Sequence, residues 1–131
     1  MTWYRSIKAL NPPFDGGVDG DGRVVVLFNI IADKRPSATL IDELAHLISG
    51  EINSTLLTTS RSSIPPKGNV VTIIASGGTP PQKTQDREGV AYELPTAIIR
   101  VHAERYVDAE TDARAAYDVL TRVKNQEVSA T

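Results

Sequence analysis

The 131-residue sequence contains no cysteine. Disulfides and thiolate metal sites are therefore excluded, and the composition is compatible with a reducing compartment. Neither sign of charge dominates. The formal net charge is −2, with acids and bases spread along the chain, which leaves no electrostatic footprint for sequence-specific nucleic-acid binding. The longest apolar run, near residues 24–31, falls far short of the roughly 20 residues that a membrane-spanning helix needs. The opening Met1-Thr2-Trp3-Tyr4-Arg5 lacks a signal-peptide pattern. Internal repeats and low-complexity tracts are also missing. These absences predict one soluble domain, residues 1–131, of cytoplasmic or virion type, long enough to hold a real core.

Recognisable chemistry is scarce as well. The Asp/Gly-rich stretch from Asp15 to Gly22 fails the EF-hand pattern in both registers, because position three counted from Asp15 is Gly17 and position twelve counted from Asp19 is Ile30. It reads instead as a hairpin loop that needs positive φ angles. Gly77-Gly78 is followed by Thr79-Pro80-Pro81 and not by Gly-Lys-Ser/Thr, so it is a turn and no phosphate cradle. No Gly-x-Ser-x-Gly elbow surrounds Ser76. Of the two histidines, His46 falls on the polar face of a helix, as a solvated surface residue would. His102 shares a strand face with Ile98 and Arg100 and could approach Glu104 or Asp108, but one imidazole without defined partners does not make a catalytic or metal site. Arg100 and Glu104 read as a same-face charge pair. The sequence thus offers no catalytic residue, no metal ligand set and no cofactor site.

What is present is a clear run of elements. Residues 70–104 read as strand, long loop, strand. The first strand is Val70-Val71-Thr72-Ile73-Ile74-Ala75, and the second starts at Pro95 and runs to Ala103. A helix over residues 108–124 follows. Ala109, Ala113, Ala116, Tyr117, Leu120 and Val123 form its apolar face, and Asp108 stands where an N-cap belongs. Glu110 and Asp112 early, and Arg122 and Lys124 late, match the helix dipole. The mostly alanine face predicts close packing on a sheet.

Before this block, residues 2–31 read as a long hairpin. Residues 2–10 can be read two ways: Trp3, Ile7 and Leu10 have helical spacing, but Trp3, Arg5, Ile7 and Ala9 alternate against Tyr4, Ser6, Lys8 and Leu10, and the aromatic and β-branched content favours a strand. Pro12-Pro13 interrupts it, and the turn-rich loop follows. A strong strand runs from Arg23 to Ile31, with Val24, Val26, Phe28 and Ile30 on one face and Val25, Leu27 and Ile31 on the other, as in a central strand. Lys34-Arg35-Pro36-Ser37 is a polar joint. A helix spans residues 40–49, capped by Ser37 or Thr39, buried through Leu40, Leu44, Leu47 and Ile48, and stopped at Gly50. A short strand fits within residues 54–59. After Lys124 the chain is polar. The expected fold is α+β: a mixed or largely antiparallel sheet of about four to five strands, with two main helices packed on it.

The loop over residues 77–94 is long for a connector. It carries Lys83 and Arg87 and ends in Val90-Ala91-Tyr92-Glu93-Leu94, which alternates like a strand. Arg and Tyr are favoured interface anchors, so Lys83, Arg87 and Tyr92 are the candidate assembly-interface residues.

Several local patterns together resemble the tail terminator proteins of long-tailed bacteriophages, also labelled minor tail or tail completion proteins. They are Ile64-Pro65-Pro66 leading to Thr72-Ile73-Ile74, Gly77-Gly78-Thr79-Pro80-Pro81, Tyr92-Glu93-Leu94-Pro95-Thr96, and Arg100-Val101-His102-Ala103. The helix ending Ala115-Ala116-Tyr117-Asp118-Val119-Leu120 and the following Val123-Lys124-Asn125-Gln126 belong to the same set. So do Trp3-Tyr4-Arg5-Ser6-Ile7, Pro13-Phe14-Asp15-Gly16 and Gly22-Arg23-Val24 to Phe28-Asn29. Each motif alone is nonspecific; together they cover most of the chain. The resemblance implies a sheet with helices on it and a homo-oligomeric ring, usually a hexamer, that caps the tail tube before head joining. Its implied partners are further copies of itself, the tail tube protein and a head-completion or connector protein. The implied location is the head–tail junction of the virion, reached from the host cytoplasm, and the family has no catalytic residues to carry over.

The order of these motifs is circularly permuted relative to that family, whose Trp-Tyr-Arg-Ser-Ile segment and Gly-Arg-Val to Phe-Asn strand follow the helix instead of opening the chain. Permutation keeps most contacts if the ends lie together, so Met1 and Thr131 are expected within about 15 Å, a span of four to five extended residues. The competing reading is a small α+β ligand-binding or enzymatic domain with its site near His102 and the 77–94 loop.

Overall fold

The computed structural model describes residues 1–36, 39–52, 55–57, 68–76, 83–85 and 91–129, with residues 55–57, 83–85 and 91 entering through backbone pairing alone. Nine strands and two helices are assigned among these residues. The strands are β1 Thr2–Ala9, β2 Phe14–Val18, β3 Val24–Lys34, β4 Thr55–Leu57, β5 Val70–Ala75, β6 Lys83–Gln85, β7 Ala91–Glu93, β8 Thr96–Ala103 and β9 Lys124–Val128. The helices are α1 Leu40–Ile48 and α2 Tyr106–Thr121. The fold is α+β, as expected, but the sheet is larger than the expected four to five strands.

The nine strands occupy only six lines across the sheet, because several lines are broken into two pieces. β1 and β2 both lie antiparallel along one side of β3, Lys8 facing Ile31 and Phe14 facing Leu27. β8 and β7 lie along its other side, Thr96 facing Ile31 and Glu93 facing Lys34. Pro12-Pro13 and Pro95 sit at the breaks, where a ring without an N–H interrupts the ladder. β5 and β6 continue the array beyond β8 and β7, and β4 joins β5 in parallel. Every other pair is antiparallel.

The long hairpin is therefore real and extends to Lys34. Two details depart from the sequence reading. The first half of the Asp/Gly stretch is strand β2, with a register shift between Asp15 and Val18 where Gly17 takes φ 92°. β1 does not alternate strictly, because a register shift between Tyr4 and Ser6 lets Tyr4 and Ile7 both face inward.

Both helices pack on one face of the sheet, with α2 against β8, β3 and β1 and α1 against β5 and α2. The core there contains Val26, Phe28 and Ile30 of β3, Ile99 and Val101 of β8, and Leu44 and Ile48 of α1. Ala109, Ala113 and Ala116 bring α2 close to the strands, and the Tyr117 ring meets Phe28 edge-on at a centroid distance of 5.6 Å. The helix begins at Tyr106, earlier than expected. Arg105 holds the N-cap position, and Asp108 lies in the first turn, bonded to the Arg105 guanidinium. α1 is close to its expected span, with Thr39 at the N-cap position and no side-chain cap.

Lys124 does not end the helix. Residues 124–128 form β9, which pairs antiparallel with β1, Val128 facing Thr2 and Glu127 facing Trp3. The two ends of the described chain thus lie on adjacent strands, about 5 Å apart at the Thr2–Val128 pair. Thr131, to which the expected end-to-end distance refers, lies outside the described residues.

Candidate functional site

The loop singled out as an assembly surface is a β-arm at its described positions. β6 pairs with β7, Lys83 facing Glu93, and β7 meets β3 at Lys34. Lys83 is thus placed on β6 by its backbone. Arg87 lies outside the described residues. Tyr92 is only 5 % exposed, so its ring is covered within its own chain. The Arg5 guanidinium carbon lies 3.7 Å from the centre of that ring. Arg5 in turn donates to Asp33 Oδ1 at 3.0 and 2.9 Å. Tyr92 therefore secures the base of the arm to β1 and β3. Of the three candidate interface residues, only Tyr92 has a described side chain.

A second anchor of the arm was invisible in sequence. Lys34, expected in a polar joint, is a fully buried β3 residue. Its Nζ lies 3.8 Å from Glu93 Oε2 on β7 and donates to the Arg35 carbonyl at 3.1 Å. It also stands 5.9 Å from the centre of the Tyr4 ring. The Tyr4 hydroxyl donates to Glu43 Oε1 of α1 at 2.9 Å, and Glu43 is likewise buried. Burial lowers the Lys34 ammonium below the ordinary lysine value, against the opposing pull of Glu93 and Glu43. Burial, followed by the hydrogen bond and charge of Glu43, pushes the Tyr4 phenol far above its ordinary value, so it stays a donor. Amphipathic periodicity would place Glu43 beside Leu44 on the buried side of α1, but its partner Tyr4 lies 39 residues away.

At the opposite end of β3, the hairpin turn closes on Asp19. Asp19 Oδ1 accepts from the Asp21 and Arg23 backbone N–H groups, both at 2.9 Å. Its Oδ2 accepts from Arg23 Nε at 3.0 Å and meets His102 Nδ1 at 2.9 Å. Arg23, itself 3 % exposed, also donates to the Gly68 carbonyl at 3.1 Å. Burial alone would raise the Asp19 pKa. The Arg23 N–H, then His102, the Asp21 N–H and the Arg23 charge outweigh it and hold the carboxyl at about 2.

His102 thus shares the expected strand face with Arg100, but its partner is Asp19 rather than Glu104 or Asp108. Glu104 turns instead toward the Gly68 N–H at 3.5 Å and forms no ion pair with Arg100. His102 Nε2 is buried without a hydrogen-bond partner among the described residues. His46 is exposed on α1.

An Asp–His pair orients an imidazole, but a reaction also needs a nucleophile or anion-binding donors within reach of the free nitrogen. Among the described residues none is hydrogen-bonded to His102 Nε2. No group of three or more potential metal ligands occurs among them. A cleft of about 150 Å³ lined by Ser6, Lys8, Ile31, Ala32, Asp33 and Leu94 is small beside ordinary ligand sites. Among the described residues no helix is long and apolar enough to cross a membrane. No protein-family model, curated protein or solved structure matches the chain.

Proposed function

We propose that this chain is a structural virion protein of the tail terminator class, assembling into a ring that caps a bacteriophage tail tube and offers a surface for head joining. The reading rests on the run of motifs described above. One structural observation supports their permuted order: Thr2 faces Val128 across a strand pair. Moving the 2–34 hairpin from one end of the chain to the other would leave its place beside β8 and β9 unchanged. The arm held by Tyr92 and Lys34 is the proposed contact with a neighbouring subunit or the tube, with Lys83 and Arg87 as its charged positions. In this reading the protein carries no chemistry and takes no cofactor. Its partners are its own copies, probed first as a hexamer, together with tube and connector proteins at the head–tail junction.

Light scattering on the sized protein and negative-stain images test this. A ring of several chains is expected, and a monomer at all concentrations overturns the reading. Deleting residues 81–88 should abolish ring formation or tail joining; retention of both removes the arm from the proposal.

The His102–Asp19 pair is the observation that favours the second reading, a small ligand-binding or enzymatic domain. A monomer whose melting temperature rises with a metal ion or metabolite, and loses that rise on His102→Gln, would support it.

A further inference from the structure

Five large apolar side chains other than Met1 stand exposed among the described residues: Leu10 (58 %), Phe14 (45 %), Val18 (66 %), Tyr106 (47 %) and Val107 (58 %). They do not form one patch. Residues facing each other across an antiparallel pair project to the same side of the sheet. Phe14 faces Leu27, and the Leu10 N–H bonds to the Asn29 carbonyl, so Leu10 and Phe14 project from the side away from the helices. Val25 and Ile31 of β3 project to that side too. Val18 faces Val24, which packs against the helix-side core, and Val24 faces Ala103, just before α2. Val18, Tyr106 and Val107 therefore belong to the helix side, at the end of the sheet where α2 starts. The molecule carries two exposed apolar patches that look in opposite directions.

We infer that the two patches are the halves of one head-to-tail contact between copies of this chain: Leu10 and Phe14 of one copy pack against Tyr106 and Val107 of the next. A two-fold contact would bury one patch twice and leave the other in water. A head-to-tail contact buries both at every interface, and it closes into a ring when the rotation allows. Charge agrees with this pairing. Arg100 lies on the same sheet row as Phe14, two strands away across Leu27, about 10 Å distant. No described acid pairs with it. Glu110 is one turn beyond Tyr106 and Val107 on α2, held only by Arg114 at 4.0 Å. With α2 of the next copy directed along that row toward β8, packing Phe14 on Val107 would place Glu110 on the Arg100 side of the contact. The contact is made by side chains and not by strand addition, because the edge of β2 is blunted: its register is shifted and the Gly17 N–H is taken by Asp15 Oδ1 at 2.8 Å.

The inference rests on the ring reading, and mixing two variants of the full chain separates their fates. Phe14→Asp spoils only the sheet-side half, and Tyr106→Asp only the helix-side half. Both positions are exposed, so unchanged melting temperatures are the folding control. Each variant alone should be monomeric by light scattering. An equal mixture should form species of two chains and none larger, since only one sound interface remains per pair. As a second measurement, Arg100→Glu should weaken association about tenfold, and Glu110→Arg in the same chain should restore it. A ring-forming wild type whose variants still assemble, or whose mixture stays monomeric, overturns the head-to-tail contact and leaves the ring reading standing. A wild type that never assembles overturns both.

Discussion

Replacing Asp19 with Asn touches the Asp21 and Arg23 N–H groups, the Arg23 guanidinium and His102 together. The amide keeps an acceptor but loses the charge that the Arg23 guanidinium answers, so a loss of about 1–3 kcal/mol is expected in urea unfolding at pH 7. The pH dependence has a definite sign. The folded-state pKa of about 2 lies below the ordinary 3.8, so this stabilisation is fully present above the ordinary value and fades as the pH falls through that window. The gap between wild type and Asp19→Asn should therefore shrink from pH 5 toward pH 2; a gap of constant size would show that charge is not what Asp19 contributes. Tyr4→Phe makes a different test. It deletes the hydroxyl that donates to buried Glu43 and leaves the rest of the ring in place. About 1–3 kcal/mol should be lost, since a buried acceptor is deprived of a donor. An unchanged unfolding midpoint would mean that Glu43 is served by its other partners.

Two described side-chain contacts hold β7 against β1 and β3. Tyr92→Ala removes the ring beneath Arg5, and Lys34–Glu93 is the remaining described side-chain clasp of β7 to β3. Amide exchange in residues 83–85 and 91–93 should speed up at least several-fold while β3 and β8 keep their protection, because local opening draws on local contacts. Equal acceleration throughout the sheet would show that the arm is part of the cooperative core. The same elements mark how far the chain could be read from its sequence. β3, β8 and α2 were legible because burial is periodic in them, and β5 because it is a short β-branched run. β9 was not: its first four residues are exposed, so no alternation marks an edge strand that β1 recruits through its backbone. β1 was ambiguous because its bulge breaks the alternation. The Asp19–His102 and Tyr4–Glu43 pairs join residues 83 and 39 positions apart, and only the strand order and the packing of α1 on the sheet bring them together. The pattern of Leu40, Leu44 and Ile48 located the α1 core face, yet buried Lys34 looked like a surface residue because its stem and charge are satisfied from other strands.

For the whole molecule, the Thr2–Val128 pair makes a direct engineering forecast. Joining the two ends by a short flexible linker and reopening the chain between β3 and α1 should give a folded protein with the same circular dichroism and a melting temperature within several degrees of the original. Failure to fold would show that the hairpin must be made first in the chain, and would remove the physical support for a permuted relationship. The same pair fixes how the molecule answers force. β1 and β9 run antiparallel with their free ends at the same side, so tension between the termini bears first on the Thr2–Val128 end of the ladder. Each bond is loaded after the one before it has broken. A pull across the ends should peel β9 from β1 at low force, whereas handles placed at opposite ends of β3 would load its two flanking ladders in shear and meet much greater resistance.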